Sequence, residues 1–135
     1  MSIATFEHPN CIMCSSSSNM GLKLRFKVQP DGSVLAMFPC HDILQSYPKT
    51  LHGGMVSALL DAAMTNVLFS IGVVAVTAEL TVKFHAPVNP DRFVAVSGTI
   101  DEKPVHPLYY VSAQIVQDNK VMAKATAKFI AKNAI

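Results

Sequence analysis

Charge is scarce in this sequence. Asp, Glu, Lys and Arg supply 15% of 135 residues, against about a quarter in an ordinary soluble domain, while apolar residues reach 50%. So apolar a chain cannot remain disordered, and its length suits one domain, residues 1–135. The 11 Lys+Arg, against 9 Asp+Glu, are scattered singly, which leaves no basic stripe for nucleic acid or for a lipid surface. A glycine-rich nucleotide loop is missing too. The longest uncharged stretch, residues 62–78, is 17 residues broken by Asn66 and Gly72, short of the roughly 20 a membrane span needs. Residues 1–10 carry Glu7 and His8 and lack an apolar core, so no signal peptide is expected and a cytoplasmic location is. Cys11, Cys14 and Cys40 are an odd number in a chain large enough to stand without disulfides, and they read as reduced thiols. Too little polar surface to coat a monomer points to a homo-oligomer.

What is present is ordered by period. Residues 1–20, with Pro9 and the run Ser15 to Ser18, have none and read as an irregular arm. Leu22, Leu24, Phe26 and Val28 alternate with Lys23, Arg25 and Lys27, the period of a strand with one wet face. Pro30-Asp31-Gly32 is turn chemistry, and residues 33–38 resume a strand. From Gly53 to about Ile71, Ala, Leu and Met dominate without proline, which predicts one long helix. Its apolar positions run nearly all the way round, the mark of a helix enclosed by protein. Ser57, Asp61 and Thr65 fall on one narrow stripe. Strands are expected again over residues 74–84, 92–103, 108–117 and 120–131. Two strands, a helix and four closely connected strands exclude a doubly wound sheet, because parallel strands need repeated crossovers. The remaining solution is α+β: a curved antiparallel sheet wrapped around one central helix.

Asp61 is the one acid between Asp42 and Glu79, in the middle of that helix. A carboxylate there must be hydrogen-bonded, by Thr65 or Ser57 in the plainest reading, or open onto a cavity. His52-Gly53-Gly54 opens the helix, where unobstructed N–H groups and the helix dipole can hold an oxyanion, although Gly-Gly before a helix is commonly only a tight turn. Eight residues separate Gly53 from Asp61, about 12 Å along a helix at ~1.5 Å per residue. One substrate carbonyl cannot touch both in a single subunit. If they cooperate, the donor comes from one chain and the carboxylate from its two-fold partner, with two equivalent sites per dimer.

The segment Leu51-His52-Gly53-Gly54-Met55-Val56-Ser57-Ala58-Leu59-Leu60-Asp61 resembles the helix signature of hotdog-fold acyl-CoA thioesterases of the PaaI-like and 4-hydroxybenzoyl-CoA thioesterase type. Residues 76–87, ending Phe84-His85-Ala86-Pro87, resemble the strand that follows it there, and the likeness covers roughly residues 20–131. It implies thioester hydrolysis to free acid and thiol, with Asp61 as general base or nucleophile, the Gly53 N–H as oxyanion donor and Thr77 helping Asp61 to orient water. It further implies that His52 supports the oxyanion loop. Where many relatives carry Asn or Gln beside the glycine this chain has Ser46, with Gln45 adjacent. Coenzyme A enters only as part of the substrate, with Gly54, Lys83, His85 and Arg92 expected near it. A dimer or a dimer of dimers is implied, without nucleic acid or membrane. A non-catalytic acyl-CoA sensor and an acyl-thioester dehydratase or hydratase are the alternatives.

A thioester suits so sparse a site, because a thiolate leaves with little help from an acid. His8, Cys11, Cys14, Cys40 and His41 include enough ligand types for zinc, but only one C-x-x-C is present, so no metal is expected. Cys11 or Cys14 as an acyl-transfer nucleophile would need a paired base, for which His8 on an irregular arm is poor support.

Overall fold

A computed structural model describes residues 7–15, 22–101 and 103–134. Six strands form one antiparallel sheet: β1 (Lys27–Val28), β2 (Val34–Pro39), β3 (Ala75–Phe84), β4 (Phe93–Ile100), β5 (Leu108–Gln117) and β6 (Lys120–Ala131), in the order β1-β2-β4-β5-β6-β3. The helix α1 (Gly53–Ser70) lies across it. The expected architecture, an antiparallel sheet around one helix, is therefore what the chain adopts.

Local chemistry sets the helix ends. His52 caps the start, and Gly72 follows the end with φ +80°, a left-handed conformation that closes a helix at low cost only for glycine. Leu59, Leu60, Ala63, Met64 and Val67 are wholly buried against the sheet. The helix passes close over Gly98 in β4, where a Cβ would stand 2.7 Å from the Ala63 carbonyl oxygen. By length and composition α1 could cross a membrane, yet just over half of it is buried within the fold.

Two expectations need correcting. The helix is not enclosed all round: Met55, Ser57, Ala58, Asp61, Thr65 and Asn66 are only half-buried and form an open seam. The first strand is also shorter than residues 22–28. Alternation does bury Leu24 and expose Lys23 and Arg25, but only Lys27–Val28 pairs with β2. Lys23 takes φ +54°, and the amides of Leu22 and Leu24 turn instead to the carbonyls of Ile12 and Met13. The arm thus competes for the hydrogen bonds that a longer β1 would have used.

β3 is the sheet's long open edge. It pairs with β6 on one side, and on the other no described strand meets it. Its register slips between Thr77 and Glu79, leaving Ala78 as a bulge. Thr77 and Phe84 are seven apart, so a regular strand would send them to opposite faces. With the extra residue, Thr77 stands opposite Phe129, and Leu80, Val82 and Phe84 stand opposite Ala127, Ala125 and Ala123, and these four β6 residues are all buried.

Candidate active site

The first half of the site is the helix N-terminus. His52 Nδ1 accepts the Gly54 N–H at 2.9 Å, and the His52 carbonyl accepts the Val56 N–H at 3.0 Å. The cap thereby consumes the Gly54 donor. Among the described residues nothing accepts from the Gly53 N–H, which lies at a cleft of about 340 Å³. Ser46, Tyr47, Thr50, Phe84 and His85 share its lining. A helix amide without a partner, at the positive end of the dipole, is suited to a developing negative charge.

Ser46 and Gln45 are placed differently with respect to the cleft. Ser46 lines it, its hydroxyl only 3.5 Å from the Thr50 carbonyl, whereas the Gln45 amide oxygen accepts the Lys49 N–H at 3.2 Å in the loop. Sequence reasoning missed Tyr47 and Phe84, both largely exposed. The mixed apolar and turn-forming run Ser46-Tyr47-Pro48 was a usable signal for the first. Phe84 needed the bulge to be known.

The second half is on the seam. Asp61 is half-buried, and its Oδ1 accepts the Thr77 hydroxyl at 2.5 Å. Neither of the plain intrahelical partners is used: Ser57 donates to the Gly53 carbonyl at 3.0 Å, and no bond from Thr65 to Asp61 is present. The carboxylate is thus held from the edge strand, on a seam left open by its own chain. Within one chain the Gly53 amide and Asp61 are about 12 Å apart, by the rise of the helix between residues 53 and 61.

Of the groups expected near coenzyme A, His85 lines the cleft and Lys83 is exposed on β3. Arg92 is ion-paired with Asp118 at the β5–β6 turn and lies outside the cleft lining. Gly54 stands at the helix start with its amide spent on the cap.

The cysteines divide into two places. His8, Cys11 and Cys14 gather at the arm, with ligand atoms all within 4.8 Å of one another. Cys40 stands apart, and His41 caps a short 3-10 turn by accepting the Ile43 N–H at 3.1 Å. Burial pushes the Cys14 thiol up to about 12 and the Cys40 thiol up to about 11, so neither is a thiolate nucleophile near neutrality. Alkylation of Cys40 at pH 8 is accordingly expected to run ~100-fold slower than that of an unfolded thiol, the ratio of thiolate fractions for a two-unit rise. Time-resolved mass spectrometry with iodoacetamide on a chain retaining Cys40 alone checks this. A rate equal to that of the denatured chain refutes it.

A family model described as Thioesterase superfamily matches residues 48–102, the stretch that holds α1, β3 and β4. No curated protein sequence matches the chain. Among solved structures, a thioesterase superfamily protein superposes with TM-score 0.80 at 19% identity, covering 87% of this chain and 61% of its own. The match therefore spans under two-thirds of that protein's length. The E. coli PaaI protein from the phenylacetic acid degradation operon superposes with TM-score 0.73 at 19% identity, covering 81% of this chain and 83% of its own. A hypothetical thioesterase from Streptococcus pneumoniae, solved with coenzyme A, gives TM-score 0.73 at 19% identity, covering 81% of this chain and 88% of its own. Structures of that protein with an aspartate or a threonine changed to alanine also superpose. Those two positions are 16 residues apart, the separation of Asp61 and Thr77 here. The likeness to the thioesterase superfamily is thus present in the segment around the helix and, as the hotdog fold, across most of the chain.

Proposed function

We propose, from the thioesterase-superfamily hotdog fold that the chain carries, that it hydrolyses acyl-CoA thioesters at sites shared between two copies. The observation that carries this is the Asp61–Thr77 hydrogen bond on an open seam beside the unpaired edge of β3. A ten-residue edge strand bearing exposed Val76, Leu80 and Phe84 is a surface that proteins cover. Antiparallel pairing of two β3 strands about a two-fold axis covers it. The same pairing brings the Gly53 amide of a second copy toward Asp61, which a single chain cannot do.

In this reading the thioester carbonyl oxygen points at the Gly53 N–H of one copy. Asp61 of the other takes a proton from a water that Thr77 helps to place, and the resulting hydroxide attacks the carbonyl carbon. The oxyanion that forms is held by the Gly53 amide, a donor worth about 3–4 kcal/mol when well placed. Collapse breaks the C–S bond, and the thiolate leaves with the proton Asp61 had taken. The apolar inner side of β3, with Leu80, Val82 and Phe84, offers the acyl group its wall, while His85 and Lys83 supply polar and positive groups at the cleft for the nucleotide end. Coenzyme A in the S. pneumoniae structure supports the ligand class.

Release of free thiol from a panel of aryl-CoA and medium-chain acyl-CoA thioesters, followed with a thiol-trapping dye, tests the reading. Turnover of at least one of them is the expected result. Saturable acyl-CoA binding with no thiol released makes the chain a sensor and defeats the proposal. Thr77→Ala should lower kcat by about 10- to 100-fold, the worth of one hydrogen bond to a charged group, with KM little changed. Thr77→Ser, which keeps the hydroxyl, should restore most of it. Equal loss in both variants would assign Thr77 a packing role only.

A further inference from the structure

The thioesterase chemistry leaves unused the cluster in which the sequence promised only reduced thiols. We propose that His8, Cys11 and Cys14 form a Zn2+ site that clasps the N-terminal arm to the end of α1. The spacing His8-x-x-Cys11-x-x-Cys14 is folded into two successive turns, closed by the Cys11 N–H on the His8 carbonyl at 3.3 Å and the Ser15 N–H on the Cys11 carbonyl at 3.0 Å. These turns put all three ligand atoms within 4.8 Å of one another. His8 Nδ1 and Cys14 Sγ are 3.7 Å apart. A tetrahedral ion with Zn–S of ~2.3 Å and Zn–N of ~2.0–2.1 Å separates such a pair by about 3.6 Å. Little movement is needed to close around the metal.

The surroundings are those of a ligand set. The Met13 N–H points at Cys11 Sγ from 3.4 Å, the kind of amide contact that steadies a thiolate ligand. The His8 ring stands edge-on to Phe69, in the last turn of α1, with 5.0 Å between centroids. On the ligands' two sides the arm is tied down by Glu7 to Lys132 at 3.5 Å and by the Leu22 and Leu24 amides at 2.7 and 2.8 Å. Two thiolates and a neutral imidazole around Zn2+ carry no net charge, which suits a site whose Cys14 is buried. Binding releases the two thiol protons to solvent. Soft sulfur with imidazole selects zinc over magnesium or calcium, which take oxygen. Water completes the fourth position, because His8 and Cys11 are only half-buried.

The full chain, purified in reducing buffer, should hold ~1 zinc per chain by elemental analysis. Replacement by Co2+ should give the intense visible bands of a tetrahedral ion and a sulfur-to-cobalt charge-transfer band. Both signals should vanish in Cys11→Ser and Cys14→Ser and persist in Cys40→Ser. Because Cys14 is buried and its variant could unfold, His8→Ala is the milder check, expected to weaken zinc binding at least ~100-fold in competition with a chelator dye while the circular dichroism is unchanged. The proposal is overturned by wild-type chain that takes up no zinc after reconstitution, by a Cys11–Cys14 disulfide that persists under reduction, or by cobalt spectra that survive loss of both cysteines.

Discussion

Asp61→Ala is expected to lower kcat for the best acyl-CoA substrate by ~10²- to 10⁴-fold, the usual contribution of a positioned general base, with thermal stability within about 0.5 kcal/mol of the parent. Stability is expected to hold because Asp61 is half-buried on an open seam and is held through the Thr77 hydroxyl, which solvent can replace. A sharper outcome concerns whether Gly53 of one copy and Asp61 of another serve one site. Gly53→Val fills the cleft beside Phe84, which already lies 3.8 Å from the position of a Cβ there, and should be inactive as well. Unfolding the two inactive variants together and refolding them as a mixture should restore about a quarter of the parent rate. Half of the dimers then pair unlike chains, and one of the two sites in each such dimer has both an intact amide and an intact carboxylate. No recovery, in a mixture shown by mass to contain mixed dimers, means the two groups do not serve one site. Recovery separates shared catalysis from a carboxylate that only stabilises its own chain.

Gly98→Ala should be the most damaging of the glycine-to-alanine changes among the described residues. The added Cβ meets the Ala63 carbonyl oxygen at 2.7 Å and its carbon at 2.9 Å, both backbone atoms of α1 that cannot rotate away. Relief requires lifting the helix off β4, its closest neighbour in the sheet, and the expected cost is about 1–3 kcal/mol, or roughly 3–10 °C in Tm. Chemical denaturation gives the measure. Activity per folded molecule should fall too, since α1 carries both Gly53 and Asp61. A Gly98→Ala chain as stable as the parent would mean that the helix sits farther from the sheet than described. By contrast Gly32, in the exposed turn before β2, has open space where a side chain would point but takes φ +88°, so alanine there should cost strain alone, about 1 kcal/mol.

The elements were legible in the residues themselves. A run of Ala, Leu and Met between His52 and Gly72 makes a helix because those side chains keep their rotamer freedom there and because a cap and a left-handed glycine stand at its ends. Alternation over residues 108–117 and 120–131 set both strands to the residue, with Asp118-Asn119 taking the positive φ of the hairpin turn between them. The lone acid at Asp61 and the glycines at the helix start could also be singled out from sequence, as could the distance forbidding them one substrate in one chain.

Tertiary structure alone decided the rest. That Asp61 is held by Thr77 and not by Ser57 depends on a contact across 16 residues, next to a bulge at Ala78 that no local pattern announces. That the Gly53 amide, and not that of Gly54, is unspent depends on which way the His52 ring turns. The helix that reads as apolar all round proves open along one seam, because hydrophobic pattern reports what must leave water and not whether the same chain or another copy removes it. The same reason leaves the outer edge of β3 without a partner among the described residues. The spacing of His8, Cys11 and Cys14 permits a cluster, but only the folding of the arm against Phe69 and Lys132 gathers their ligand atoms in one place.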